Sequence, residues 1–154
     1  MSSPIYSVEL TGKNIDGSSI SCTGKHLEIV LEELNKHLKS AIWFGCDVNV
    51  SNDNTIWRRF SSYDPKYIGE NRDFIELLDS DEQFLSGVFL IAPKGKNNKW
   101  AHEYETEDEP FRNNEGALIE LRTFDTSHIE LYTSDKELLS SLSKRFTCVI
   151  KENN

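Results

Sequence analysis

The sequence has few of the residues, and none of the motifs, that mark common enzyme and cofactor sites. Its 154 residues include only three cysteines, four prolines and eight glycines, and no C-x-x-C, H-E-x-x-H, G-x-S-x-G, G-x-G-x-x-G or P-loop pattern. The usual zinc spacings, the nucleophile elbow of hydrolases and the common nucleotide-binding loops are therefore not indicated. We expect a binding protein and not an enzyme, with no catalytic residue, no cofactor and no metal ligand.

Long apolar runs and targeting signals are also missing. The longest apolar stretches, such as residues 87–92, are too short to cross a bilayer. The first residues carry neither a basic region nor an apolar one. The three cysteines, Cys22, Cys46 and Cys148, are widely spaced and are predicted to be reduced thiols in strands. Together these features predict a cytoplasmic protein without disulfides and without a membrane partner.

Positive charge is scarce relative to negative charge. There are 26 acidic residues against 17 basic ones, for a formal net charge of −9. Such a chain is repelled by nucleic acid and by anionic membranes, whereas a basic protein complements it. The expected partner is therefore a basic protein, and the sequence leaves the oligomeric state open.

The acidic residues are concentrated in what we call the acidic stretch, residues 102–111. Five of its ten residues are carboxylates, and between Ala101 and Glu120 seven acids accompany one base. Carboxylates can steer a basic partner and aromatic rings can anchor it. The predicted partner-binding residues are Trp100, Glu103, Tyr104, Glu105, Glu107, Asp108, Glu109 and Phe111. The alternative is a solvated loop, which is what most charge runs form.

Apolar periodicity predicts an α+β fold, with residues 1–154 forming a single domain. We expect a mostly antiparallel sheet with two main helices packed on it. The predicted strands are residues 5–10, 19–22, 41–50, 55–60, 88–92, 117–124, 128–132 and 147–150, and the helices are residues 25–39 and a segment that begins after Ser134. The predicted caps are Thr23 with Gly24 for the first helix, and a Ser134–Glu137 capping box for the second. The predicted core residues are Leu31, Leu34, Phe89, Ile119, Leu121 and Leu142.

Three local patterns suggest chemistry but are better explained by structure. Residues 47–58 begin like a calcium loop, yet Arg58 stands where a bidentate glutamate belongs. His26 and His37 are eleven residues apart, about 16 Å along a helix, too far to share one ion. Asp125, Ser127 and His128 suggest a triad, but neighbours in a hairpin point to opposite faces, so turn residues are the simpler interpretation.

The C-terminal part carries a resemblance to known proteins. Residues 118–121, 125–132 and 135–139, with Leu142, resemble the strand–hairpin–helix ending of small bacterial proteins, some of which look like immunity proteins of toxin systems. The resemblance covers about a quarter of the chain. It implies an antidote whose partner is a toxin domain, and because those proteins share no functional motif it assigns no residue.

The function expected from these features is to bind and neutralise a basic toxin domain by occluding its active site. Two alternatives stay open. One is an enzyme that acts on a small molecule through residues dispersed along the chain. The other is a regulatory interaction domain with a different protein partner.

Overall fold

A single antiparallel sheet organises the molecule. A computed structural model of the chain describes residues 4–38, 40–52, 55–94, 100, 103–106 and 117–153. Within these residues seven strands pair in the order β3-β2-β4-β5-β6-β1-β7, and every pairing is antiparallel. The α+β prediction with an antiparallel sheet is therefore confirmed.

The elements follow one another along the chain, and the longest connection, residues 94–118, joins β4 to β5. The strands are β1 (Ile5–Leu10), β2 (Ala41–Val50), β3 (Lys66–Gly69), β4 (Phe84–Pro93), β5 (Ile119–Phe124), β6 (His128–Thr133) and β7 (Lys151–Asn153). The helices are α1 (Gly12–Ile15), α2 (Gly24–Asn35), α3 (Asn71–Leu77) and α4 (Lys136–Phe146), with a 3₁₀ helix at Thr55–Phe60. No helix among the described residues is long and apolar enough to cross a membrane.

The main core lies between the helices and one face of the sheet, which we call the helix face. Alternate strand residues point to it, because side chains in a strand alternate between faces. On β4 and β5 these are Phe89, Ile91, Ile119 and Leu121, which pack in one cluster with apolar residues of α2, α3 and α4. All six predicted core residues are at most 1% exposed, so that prediction is confirmed.

The opposite face, which we call the outer face, carries the other residues of the same strands. Its β2–β4 half forms a second apolar cluster of Phe44, Cys46, Val88, Leu90 and Ala92, joined by Tyr104. The β5–β6–β1 half is polar. Pairing places Arg122 beside Glu130, and Glu130 beside Glu9. One face of the sheet is therefore mostly apolar, whereas the other face is apolar over β2 and β4 and polar over β5, β6 and β1.

Three sequence-predicted strands are wrong. Residues 19–22 form no strand, since Cys22 has a φ of 62°, and only an isolated bridge joins Thr23 to Gln83. The predicted strand at 55–60 is a 3₁₀ helix that turns Trp57 and Phe60 into the core. The predicted strand at 147–150 is also absent. Thr147, with a φ of 52°, ends α4, and strand pairing begins only at Lys151, the first residue of β7.

The helix ends are set by side-chain caps. Thr23 caps α2 as predicted, accepting a hydrogen bond from the His26 backbone, but the helix ends at Asn35 and not at residue 39. The predicted capping box at α4 is wrong. Asp135, one residue after Ser134, is the cap, and it accepts from the backbone N–H groups of Glu137 and Leu138.

Candidate functional site

The beginning of the acidic stretch lies across the outer face of the sheet. We call residues 103–106 the strap. The Tyr104 backbone N–H donates to the Tyr63 carbonyl at 2.9 Å, and the Thr106 N–H donates to Asp47 Oδ2 at 2.9 Å. The Thr106 hydroxyl donates to the same Asp47 oxygen at 2.9 Å and accepts from the Gly87 N–H at 3.0 Å. The strap is therefore fixed to β2 and β4 by both backbone and side-chain hydrogen bonds.

Residues of the strap alternate between buried and exposed. Tyr104 and Thr106 are buried, whereas Glu103 and Glu105 are exposed. The carboxylates avoid the cost of losing water, while the ring and the hydroxyl supply the contacts that hold the backbone. As a result, two negative charges project from a segment whose position is determined by the sheet below it.

The position of Tyr104 differs from the sequence-based prediction. It was predicted to be an aromatic anchor for a partner, but only 3% of it is exposed, and it packs in the second apolar cluster. Trp100, also a predicted anchor, is half-buried, and its ring meets Phe44 edge-on at a centroid distance of 5.3 Å. These rings hold the strap on the sheet. The other predicted partner-binding residues, Glu107, Asp108, Glu109 and Phe111, lie outside the described residues.

A cavity of about 280 Å³ opens beside the strap. Its wall combines three carboxylate residues with two aromatic rings and an exposed leucine: Asp47, Glu105, Asp125, Tyr63, Phe124 and Leu85. Tyr63 is 44% exposed and Leu85 is 42% exposed. Carboxylates beside aromatic faces suit a guanidinium or ammonium group. This cavity was not predictable from the sequence, because its residues come from six separate segments: β2, the segment before β3, β4, β5, the β5–β6 turn and the strap.

A buried ion pair connects the strap to the next strand. Arg122 Nε donates to Glu120 Oε2 at 3.1 Å, and each side chain is only 2% exposed. Arg122 Nη1 also donates to the carbonyl of Thr106 at 2.8 Å. Burying two charges is costly unless they are paired and hydrogen-bonded, and the Thr106 carbonyl of the strap supplies one of these hydrogen bonds.

A second polar group lies further along the outer face. His128 Nε2 is 2.8 Å from Glu130 Oε2 and 3.3 Å from Glu9 Oε1. One ligand-type atom from each of the three residues lies within 4.8 Å of the others. Sequence reasoning missed this group. The i, i+2 spacing of His128 and Glu130 on a strand is visible in the sequence, but Glu9 joins them only through the β1–β6 pairing.

Ser127 and Tyr132 complete the hydrogen bonding of this group. Ser127 Oγ is 3.0 Å from His128 Nδ1, so the prediction that these neighbours point to opposite faces is wrong. The same hydroxyl donates to the Phe124 carbonyl at 2.8 Å, which leaves it no proton to give to the imidazole. The contact therefore differs from that of a nucleophilic serine, and the role of Asp125 and Ser127 as turn residues stands. Tyr132 donates its hydroxyl to Glu130 Oε1.

The surroundings of the three thiols disfavour their deprotonated form. Burial raises the pKa of Cys22 to about 12 and raises that of Cys46 further. Burial also raises the pKa of Cys148, which is half-buried. A thiol is a nucleophile only when it is deprotonated, so none of the three is activated for catalysis.

Comparison of the chain with protein-family models, with curated proteins and with solved structures found no match.

Proposed function

We propose that the chain is a binding protein for a basic protein surface and, following its C-terminal resemblance, that it is an antidote that occludes the active site of a toxin domain. One observation carries this proposal. The strap presents the carboxylates of Glu103 and Glu105 to solvent while its buried residues fix it to the sheet. The exposed charges are thus held in place before a partner arrives.

Fixing the strap in advance favours binding. A segment that orders only on contact loses conformational entropy at that moment, which weakens the complex. The hydrogen bonds from the strap to Asp47, Tyr63 and Gly87 supply this order in the free protein. Less of the interaction energy with the partner is therefore lost to ordering the strap, and more of it contributes to affinity.

The cavity beside the strap gives the partner a specific place to dock. Its volume of about 280 Å³ accommodates one long basic side chain. An arginine inserted there meets the carboxylate of Asp125 and stacks on the Tyr63 ring, which combines charge pairing with a cation–π contact. Since Tyr104 is buried, Tyr63 takes the role of exposed aromatic anchor.

The test reverses charge on the strap and compares the result with an equal reversal elsewhere. After the partner has been captured by cross-linking and identified, association and dissociation rates are measured for Glu103→Lys/Glu105→Lys and for Glu76→Lys/Glu152→Lys. All four glutamates are exposed, and both double variants change the net charge equally. The strap variant is expected to associate more slowly, most clearly at low salt, while the control retains most of the rate.

Two results would contradict the proposal. Equal effects of the two double variants would mean that only the net charge matters, and the strap would then be a solvated loop. A captured partner that is acidic, or that has no toxic activity, would remove the antidote assignment and favour a regulatory interaction domain.

A further inference from the structure

The group formed by Glu9, His128 and Glu130 stands apart from the strap. Glu9 and Glu130 are directly opposite each other on β1 and β6, an arrangement of like charges that destabilises a sheet unless something separates them. His128 is on the same face, with Nε2 at 2.8 Å from Glu130 and 3.3 Å from Glu9. Three potential ligand atoms thus converge on one point.

The hydrogen bonds around His128 determine which of its nitrogens carries a proton. Ser127 gives its hydroxyl proton to the Phe124 carbonyl, which can only accept. Its oxygen is therefore the acceptor for His128 Nδ1–H at 3.0 Å. In the neutral ring, Nε2 then has a lone pair that points at two carboxylate oxygens. Three electron-rich atoms therefore face one another, an arrangement that a metal ion between them would stabilise.

We propose that Glu9, His128 and Glu130 bind a divalent transition-metal ion, with Zn²⁺ the best fit. An imidazole with two carboxylates suits zinc, manganese or iron, whereas calcium and magnesium select sites made of oxygen alone. Motif searches in the sequence predict no metal because they detect local spacings, and this site is assembled from two strands.

The distances are close to those of a tetrahedral zinc site. Zinc lies about 2.0–2.1 Å from histidine nitrogen and carboxylate oxygen, which spaces its ligands by about 3.3 Å. The distance between His128 Nε2 and Glu9 Oε1 already has this value. Glu130 is closer, at 2.8 Å, and needs to move by about half an ångström to match.

Outer contacts hold the ligands in position. Ser127 fixes the tautomer of His128, and the Phe124 ring stacks on the imidazole at 5.0 Å with an interplanar angle of 14°. Tyr132 donates to the second oxygen of Glu130. Such partners orient metal ligands and tune affinity.

An open groove adjoins the group formed by Glu9, His128 and Glu130. A groove of about 600 Å³ is lined by Glu9, Glu130, Tyr132 and Lys151, among others. Three protein ligands with one open position let the ion bind water or an atom supplied by another molecule. The site is therefore accessible, and the ion can exchange with solution.

The test measures zinc binding by the full chain without a histidine tag. The protein is loaded with Zn²⁺, desalted and analysed for metal content, and its affinity is measured by competition with a chelating dye. About one equivalent is expected to remain. Glu9→Gln and His128→Ala should each weaken affinity at least tenfold, since loss of even an outer partner costs about 10–100-fold. The control Glu152→Gln, at an exposed residue on β7, should leave the zinc affinity unchanged.

A second measurement excludes the thiols. Co²⁺ in place of Zn²⁺ should give an absorption spectrum without thiolate charge-transfer bands, and Cys148→Ser should leave it unchanged. Circular dichroism confirms that each variant is folded. The proposal is overturned if the chain retains no zinc, if Glu9→Gln binds as tightly as the unchanged chain, or if the cobalt spectrum shows thiolate ligation.

Discussion

The two faces of the sheet are built from alternate residues of the same strands, yet they differ in what covers them. The helix face is mostly apolar and is closed by α2, α3 and α4. The outer face is closed over its β2–β4 half by Tyr104 of the strap, while its β5–β6–β1 half contains charged side chains. Hydrophobic burial is sufficient to explain the first face. The second face has ionisable groups that stability alone does not require, so we place both proposals there.

The largest effect is expected on the helix face. Phe89 is fully buried and packs among Trp57, Phe74 and Phe84. Phe89→Ala should lower the free energy of unfolding by about 3–5 kcal/mol, because it removes a large ring and leaves a cavity. Urea unfolding measures this. Val149→Ala, at a position that is 84% exposed, is the control, and a similar loss there would contradict the assignment of the core.

A comparable loss is expected where charge is buried on the outer face. Arg122→Ala removes the guanidinium that pairs with Glu120 and supports Thr106. We expect a loss of about 3–5 kcal/mol, because the Glu120 carboxylate stays buried. Glu120→Leu/Arg122→Met removes both charges and should recover part of this loss. If the double variant is as unstable as the single one, the cost is due to lost packing and not to charge.

The strap gives a smaller effect that separates packing from partner binding. Tyr104→Ala should cost about 2–3 kcal/mol in the free protein, since its ring is buried on the sheet. Tyr63→Ala should cost under about 0.5 kcal/mol, because that ring is largely at the surface. Thermal unfolding without any partner tests both. No change in Tyr104→Ala would mean that the ring does not hold the strap.

The smallest effect concerns pH and Asp16, which caps the C-terminus of α1 and contacts His26 of α2. Hydrogen bonds from Ser18, and then from His26, lower the pKa of Asp16 to about 2 from a usual value of 3.8. A lowered pKa in the folded state stabilises the protein above pH 4, and this contribution is lost as the pH falls from about 4 to 2. Asp16→Asn should remove under about 1 kcal/mol of that dependence, because Asp16 is exposed and solvent screens its interactions. Urea unfolding from pH 6 to 2 measures it, and identical pH profiles would contradict the assignment.

The helix face was largely predictable from sequence, and the outer face was not. The periodicity of Leu27, Val30, Leu31 and Leu34 predicts α2, and alternation predicts β1, β5 and β6, because burial on one side imposes a regular pattern. The errors at residues 19–22 and 55–60 have a different cause. Short segments with some apolar residues fit a strand pattern in both places. In the fold, however, residues 19–22 form an irregular segment and residues 55–60 form a 3₁₀ helix.

The candidate sites depend on which strands are neighbours and how they are paired, and a single sequence does not reveal this. Glu103 and Glu105 were predicted as binding residues from charge density, and the structure adds that they are exposed on a fixed strap. Asp47 and Asp125 reach the same cavity only because β2, β4 and β5 are neighbours. Glu9 meets His128 in the same way, through the β1–β6 pairing.

The most direct test of the central claim, that the strap and its cavity bind a basic side chain, is an NMR titration with a short arginine peptide. We expect the backbone amide signals of Asp47, Glu105 and Asp125 to shift in a saturable way, and the shifts to weaken with salt. Glu103→Lys/Glu105→Lys should reduce them, while Glu76→Lys/Glu152→Lys should not. Shifts scattered evenly over all acidic surfaces, or equal shifts in both variants, would contradict the account.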